Sequence, residues 1–305
     1  MDKEVKHAAI ILNYRNPELT IACIRSLQKQ DVSIKIVVVD NCSNDNSIEK
    51  LFSEFYLDEE ITILENDSNS GYAKGNNVGI NFVERNFPEI EYISIVNPDI
   101  FFRDERTFSL MEKALSNNPE LSLVSSMILY NKEFRGVLDC GWKIPTKKYL
   151  FWSGTFLGRF ILNEVNEVYT SLTVEKDISY VDVVPGCFFM VKANDFYQIH
   201  GFDENTFLYF EETILAKKLI NIGKKEGILV NCLVEHNHME RDRQLVDWKR
   251  KLFDRECFND SKRYYLNYIS EETKFFKIAA TLLSNVDIFL KKIIFNALAL
   301  MCRNN

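Results

Sequence analysis

The chain has 305 residues, enough for one long domain or two smaller ones, with 46% hydrophobic and 27% charged residues and a net charge of −7. That acidic balance argues against a nucleic-acid partner, which needs a basic surplus, and no uninterrupted apolar run reaches the roughly 18 residues of a membrane-spanning helix. Seven Cys with no C-x-x-C pair exclude zinc-finger and thioredoxin-like readings. An odd Cys count behind a charged start, MDKEVKH, leads to the expectation of a reducing, cytoplasmic setting.

The first half alternates. AAIILNY (8–14) is a β-rich run, and 17–30 has helical spacing at Leu19, Cys23, Ile24 and Leu27 behind a leading Pro. SIKIVVVDN (33–41) is apolar on both faces, as in a sheet covered by helices. Residues 43–55 supply Asn and Asp caps and then a helix. EITILEN (60–66) reads as a strand, 71–87 as a Gly-rich helix start, EYISIVNPD as a strand, 106–118 as a helix and 121–130 as a strand. Between 131 and 180 aromatics and glycines suggest long loops. Order returns over 180–204, followed by a helix at 210–223 and a strand at 226–238. After 240 the pattern is helical to the end, and no internal repeat is evident.

Strands alternating with helices imply an α/β fold, a mostly parallel sheet with right-handed crossovers. Ligands of such sheets bind beyond the carboxyl ends of the strands. The polar residues there are Asn13 and Tyr14, Asp40 and Asn41, Asn66 and Asp67, and Asn97 and Asp99. They should converge on one edge. The expected organisation is a core over 1–240, with a nucleotide-binding part to about 130 and an acceptor-binding part beyond it, then a helical extension over 241–305.

Several motifs admit both a structural and a chemical reading. Asp40 is either a helix cap, a role Ser43, Asn44 or Asp45 can also fill, or an acceptor for a base or ribose hydroxyl. In NDSNSGYAKGNNVG (66–79) the glycines at 71, 75 and 79 permit close helix packing, while Lys74 beside a helix start suits a phosphate. No Walker or dinucleotide-binding pattern is present. Asn97-Pro98-Asp99 is a turn, or a carboxylate for a hard cation shared with a diphosphate. Glu211 and Glu212 favour a helix start through its dipole; amid Phe207, Tyr209 and Phe210, a desolvated carboxylate there would also suit a general base. His236 and His238 fall two apart on one strand, too few for a zinc site.

In combination, ILNYRNPELTIACIRSL, VVVDNCSND, NSGYAKGNNVGI, NPDI and PGCFFMVKANDFYQIHGFDENTFLYFEE resemble family 2 glycosyltransferases of the GT-A fold, in the flavour of bacterial rhamnosyltransferases. The resemblance covers roughly 8–240. It implies that Asn13, Tyr14 and Asp40 hold the base and ribose, and that Gly71, Lys74 and Asn76 line the nucleotide-sugar. It implies that Asn97 and Asp99 occupy the Asp-x-Asp motif, with Mg2+ or Mn2+ on Asp99 and His236, or His238 in the alternative register. Glu212 stands at the catalytic base, Glu211 being the alternative, and Gly186, Asp203 and Tyr209 stand on the acceptor side. Asn97 departs from the family Asp, Glu212 from the usual Asp, and Ile214 replaces a common second acid.

The activity so implied is inverting transfer of a sugar from a nucleotide-diphosphate donor, dTDP-L-rhamnose in the rhamnosyltransferase subgroup, to a saccharide or a polyprenyl-diphosphate-linked acceptor in bacterial surface polysaccharide synthesis. UDP-hexose or UDP-N-acetylhexosamine is the alternative donor. A nucleotidyltransferase would want a Gly-rich phosphate loop after the first strand, and NYRNPELT has none. A non-catalytic nucleotide-sugar or glycan-binding module is the reading from another class. The tail 274–305 carries an apolar stripe at Ile278, Leu282, Val286, Phe289, Ile293, Ala297 and Leu300, with Asp287 and Lys291 opposite. It reads as an interfacial helix on the inner face of the plasma membrane, or as a helix packed on its own domain or on a second copy.

Overall fold

The computed structural model describes residues 5–130, 133–134, 140–162, 169, 173–237 and 248–301. The opening run forms β1 (His7–Asn13), α1 (Pro17–Leu27), β2 (Ile34–Asp40), α2 (Ser47–Phe55), β3 (Ile61–Glu65), α3 (Tyr72–Asn86) and β4 (Tyr92–Val96). Then come β5 (Ile100–Phe102), α4 (Thr107–Asn117), β6 (Leu121–Tyr130), β7 (Glu133–Phe134), α5 (Lys147–Trp152), α6 (Gly158–Ile161), β8 (Val174–Glu175) and β9 (Ile178–Val181). The remainder is β10 (Phe188–Lys192), α7 (Ala193–Gln198), α8 (Glu211–Asn221), β11 (Lys225–His236), α9 (Trp248–Tyr264) and α10 (Lys274–Met301).

The sheet runs β3-β2-β1-β4-β10-β6-β11-β9-β8, and β5 pairs with β11. Its first four strands are parallel; β10 inserts antiparallel between β4 and β6; and β6 pairs parallel with β11. The β1, β2 and β4 strands are buried along almost their whole length, as their two-sided apolar pattern demands. Because β10 is antiparallel, its first residues, not its last, reach the edge where the parallel strands end. Phe188 pairs with Val96, and the Asn97 amide donates to the Cys187 carbonyl at 2.8 Å.

Three features were not legible beforehand. The strand at Asn97-Pro98-Asp99 does not simply resume: β5 turns back as a separate strand, pairing Ile100 with His236. Within β11 the register against β6 shifts between Leu229 and Leu233, so the strand pairs with β9 early and with β5 late. The expected helix after 240 is two helices joined by a π-helical turn at Tyr265–Ile269. A second small core, with Leu150, Phe210, Ile214, Tyr265, Leu266 and Ala280, ties α5, α8, α9 and α10 together.

Candidate active site

The carboxyl ends of the parallel strands β1, β2, β3 and β4 meet at one edge. There, Asn13 and Asp40 are fully enclosed and turn inward. The Asn13 amide donates to Asp40 Oδ1 at 2.6 Å and its oxygen accepts from the Thr20 hydroxyl at 2.8 Å. Asp40 also accepts from the Ser43 hydroxyl (2.5 Å) and the Ser43 amide (2.9 Å). Together they brace the loop after β2, in which Cys42 and Asn44 take positive φ. The Asp45 carboxylate, not Asp40, accepts from the Ser47 amide that starts α2. Tyr14 stays exposed, with the Arg15 guanidinium 5.1 Å from its ring centre. Of these strand-end residues, Tyr14 is thus the side chain left facing outward.

The glycines of α3 are needed for contact. Gly71, at φ +87°, leaves no room for a Cβ, which would lie 2.4 Å from the Phe207 carbonyl; the next amide, Tyr72, donates to that same oxygen at 2.9 Å. Gly75 and Gly79 press against Leu12 and Ile10 of β1. Lys74 is exposed in the first turn, where its charge can face an anion. Asn76 differs from the sequence expectation: it is buried and donates to the Tyr72 carbonyl at 2.9 Å, so it shapes the helix from inside.

Tyr72 was not singled out by the sequence, yet it joins the parts. Its hydroxyl donates to the Gly186 carbonyl at 2.6 Å and lies 3.2 Å from Asn97 Oδ1. Burial, and then the carboxylates of Glu212 and Glu211, push its ionisation well above the ordinary tyrosine range. The Cys187 thiol is likewise raised, by burial first and then by Asp99 and Glu212. The Cys187 side chain therefore lies near both Asp99 and Glu212. At Asp99, Oδ1 lies 3.1 Å from His236 Nε2, with the imidazole buried and its ring 5.3 Å from that of Tyr130. His238 lies outside the described residues.

Glu211 and Glu212 begin α8 behind two consecutive residues in the left-handed region, Tyr209 at φ 73° and Phe210 at φ 67°. Such strain persists only where surrounding packing enforces it. Phe210 sits in the second core, and Tyr209 packs its ring on Phe258. Glu211 points inward, is 4% exposed, and is pushed well above the usual carboxylate range by burial and by Glu212. Glu212 is only partly buried. Desolvation raises it too, while the Gly186 amide and its own amide hold it down. A Cβ at Gly186 would lie 2.6 Å from Glu212 Oε1, so only glycine leaves that carboxylate its seat.

Other residues brace this arrangement. Asn77 clasps the 201–204 loop, donating to the Phe202 carbonyl and to Glu204 while accepting from the Phe202 amide, all at 3.0 Å. Buried Glu226 accepts from the Val184 amide at 2.9 Å, two residues before Gly186. Asp203, expected on the acceptor side, accepts from the Tyr264 hydroxyl at 2.9 Å and from Asn205, which anchors α9 to the site.

Residues 8–161, half of the chain, match the family described as Glycosyl transferase family 2. The chain belongs to that family. It is 23% identical over 220 residues to the rhamnosyltransferase WbbL of Escherichia coli, covering 70% of this chain and 76% of that protein. It is 26% identical over 252 residues to the low-salt glycan biosynthesis hexosyltransferase Agl10 of Haloferax volcanii, covering 79% and 73%. The mannosyltransferase PcManGT of Pyrobaculum calidifontis, solved with GDP-Man and Mn2+, superposes with a TM-score of 0.59 at 13% identity, covering 99% of this chain and 80% of that one. The fold is GT-A and the protein is a glycosyltransferase. The non-catalytic reading is set aside.

Proposed function

We propose that this glycosyltransferase is inverting, and that it moves a sugar from a nucleotide-diphosphate donor to a hydroxyl of a saccharide acceptor, free or carried on polyprenyl diphosphate, on the cytoplasmic side. The observation that carries this reading is the pairing, across Tyr72 and Gly186, of a desolvated carboxylate, Glu212, with Asn97 and Asp99 at the sheet edge. Glu212 accepts the proton of the acceptor hydroxyl. The freed oxygen pair forms a bond to the anomeric carbon from the face opposite the diphosphate. The carbon–oxygen bond to the diphosphate breaks, its electron pair leaves with the nucleotide, and configuration inverts. No covalent enzyme intermediate is needed.

Asp99 and His236 fit a divalent cation as a partial donor set: a carboxylate and an imidazole 3.1 Å apart. No group of three or more His, Cys, Asp or Glu side chains suited to a metal occurs among the described residues. The remaining ligands would then come from diphosphate oxygens and water, as Mg2+ and Mn2+ accept. When bound, the ion offsets charge growing on the leaving diphosphate. Asn97 adds no charge there but can hydrogen-bond to donor oxygens. Lys74 supplies a fixed positive charge at the α3 start.

The donor we favour is dTDP-L-rhamnose, supported by the WbbL relation. A UDP-linked hexose or N-acetylhexosamine is the second reading; the hexosyltransferase name of Agl10 supports its hexose form. A nucleotide-sugar panel scored by thermal shift, followed by donor turnover with the stabilising compound, tests this. The expected result is a rise in Tm with one nucleotide class and Mn2+, because only a ligand of the native state stabilises it. Stabilisation by dTDP-rhamnose supports the first reading; stabilisation by UDP-sugars alone supports the second. No stabilisation or turnover with any member sinks both.

A further inference from the structure

The C-terminal helix is packed with its faces reversed. Ala280, Ser284 and Asp287 of α10 are buried, whereas Phe275, Ile278, Leu282, Val286, Phe289 and Ile293 are each half or more exposed. Specific polar contacts hold this rotation. Asp287 accepts from the Phe156 amide at 2.6 Å and pairs with Lys291 at 2.5 Å. Lys291 donates to the Gly154 carbonyl at 2.6 Å, and the fully buried Lys262 of α9 donates to the Ser153 carbonyl at 2.7 Å. Breaking a buried charge cluster leaves uncompensated charge, so the helix cannot simply roll its apolar side inward. The same contacts pin the turn at 153–157 against α10, and Phe156, Leu157 and Phe160 are exposed there as well. Two segments distant in sequence thus present adjoining apolar surface.

We propose that this face docks on an anionic lipid bilayer. It is a ridge, one helix side plus a turn, and α10 extends about 42 Å at the usual rise per residue. No helix among the described residues is long and apolar enough to cross a membrane. The charge around it opposes that of the whole chain: residues 248–301 hold ten Lys and Arg against six Asp and Glu, in a protein of net charge −7. The Glu256–Lys292 pair and the closeness of Lys262 to Asp287 make α9 and α10 antiparallel. Lys249, Arg250 and Lys251 therefore lie toward the same end as Phe289 and Ile293. Apolar residues flanked by basic ones are what an acidic headgroup surface takes up. The proposal accords with the lipid-linked form of the acceptor reading but does not need it, since vesicle binding is measured without turnover.

Co-sedimentation of the full chain with phosphatidylcholine vesicles, with and without phosphatidylglycerol, tests it. The wild type is expected to sediment with the mixed vesicles, less with phosphatidylcholine alone, and less again at high salt. The double variant Val286→Asp/Phe289→Asp should keep its circular-dichroism melt and donor turnover while its partitioning falls about tenfold or more. If that variant does not fold, Leu157→Asp/Phe160→Asp, at the end of the turn and in α6, carries the same test. A wild type that stays in the supernatant, or variants that partition like it, would overturn the proposal. So would a dimeric wild type and monomeric variant with no vesicle binding, which would assign the face to a second copy. Failed turnover with intact vesicle binding would sink the activity reading and leave this one standing.

Discussion

Glu211 and Glu212 are neighbours in sequence but not in circumstance. Glu212 faces Gly186 at the site, and Glu211 is turned into the interior. Substituting Glu212→Gln should cut transfer by about 10²–10⁴-fold, the usual worth of a positioned base, while donor affinity changes little. Steady-state transfer and calorimetric donor binding check this; an active Glu212→Gln enzyme would move the base elsewhere. Since burial raises Glu212, the acid limb of the transfer–pH profile should lie above the ordinary glutamate range, because the protonated carboxyl cannot accept a proton.

For Glu211 the readout is stability. Its folded carboxyl binds protons more tightly than the unfolded one, so native stability falls as pH rises from 4.5 through the raised folded value. Glu211→Gln should remove that fall, gaining stability near neutrality and little near pH 4 on the unfolded scale of about 4.3. Urea denaturation at several pH values measures it. At the other carboxylate, Asp99→Asn should weaken nucleotide-diphosphate binding in Mn2+ far more than in chelator. Equal binding by both forms with Mn2+ present would reduce Asn97-Pro98-Asp99 to a turn.

At the scale of elements, α3 is held from two sides. Its glycines seat it on β1, and Asn77 ties it to the loop that precedes α8. Asn77→Ala leaves the Phe202 amide and carbonyl without these partners, so a loss of about 2–4 kcal/mol is expected, together with reduced transfer. Lys74→Ala, one turn earlier and exposed, should alter stability by no more than about 0.5 kcal/mol and weaken donor binding instead. Parallel denaturation and donor titrations separate the two. If Asn77→Ala proves as stable as wild type, the loop is held by other contacts.

At the scale of the molecule, the C-terminal helices are part of the catalytic body. Tyr264 fixes Asp203, and Phe210, which precedes the glutamate pair, shares a core with Tyr265, Leu266 and Ala280. Lys262 gives this joint a pH signature. Burial lowers its folded pKa to about 8 from 10.5, with Asp287 opposing the shift and Lys291 adding to it. Between those values the unfolded chain binds more protons, so this group makes stability rise with pH over the window from about 8 to 10.5. Lys262→Met should flatten that rise, as measured by chemical denaturation from pH 7 to 10 across the range in which lysines titrate (about 10.4 when unperturbed).

Local pattern by itself determined much of this protein. The β-rich run at 8–14, the two-sided apolar run at 33–41, the strand ending in Asn97-Pro98-Asp99, the Pro-led helix at 17 and the polar strand ends follow from period and turn chemistry. From them come the α/β sheet and the edge where chemistry gathers. The combination of motifs from ILNYRNPELTIACIRSL to GFDENTFLYFEE was likewise enough to point to the family. What local pattern could not contain is partnership between distant residues. The Tyr72 bridge depends on β10 running antiparallel, which brings Gly186 to the edge; the inward turn of Asn13, Asp40 and Asn76 depends on which atoms wait beneath them. The tail makes the same point. Its amphipathic period was plain, but a period states only that a helix has two faces. The buried contacts of Asp287, Lys291 and Lys262 decided that the polar face turns inward and the apolar face meets the outside.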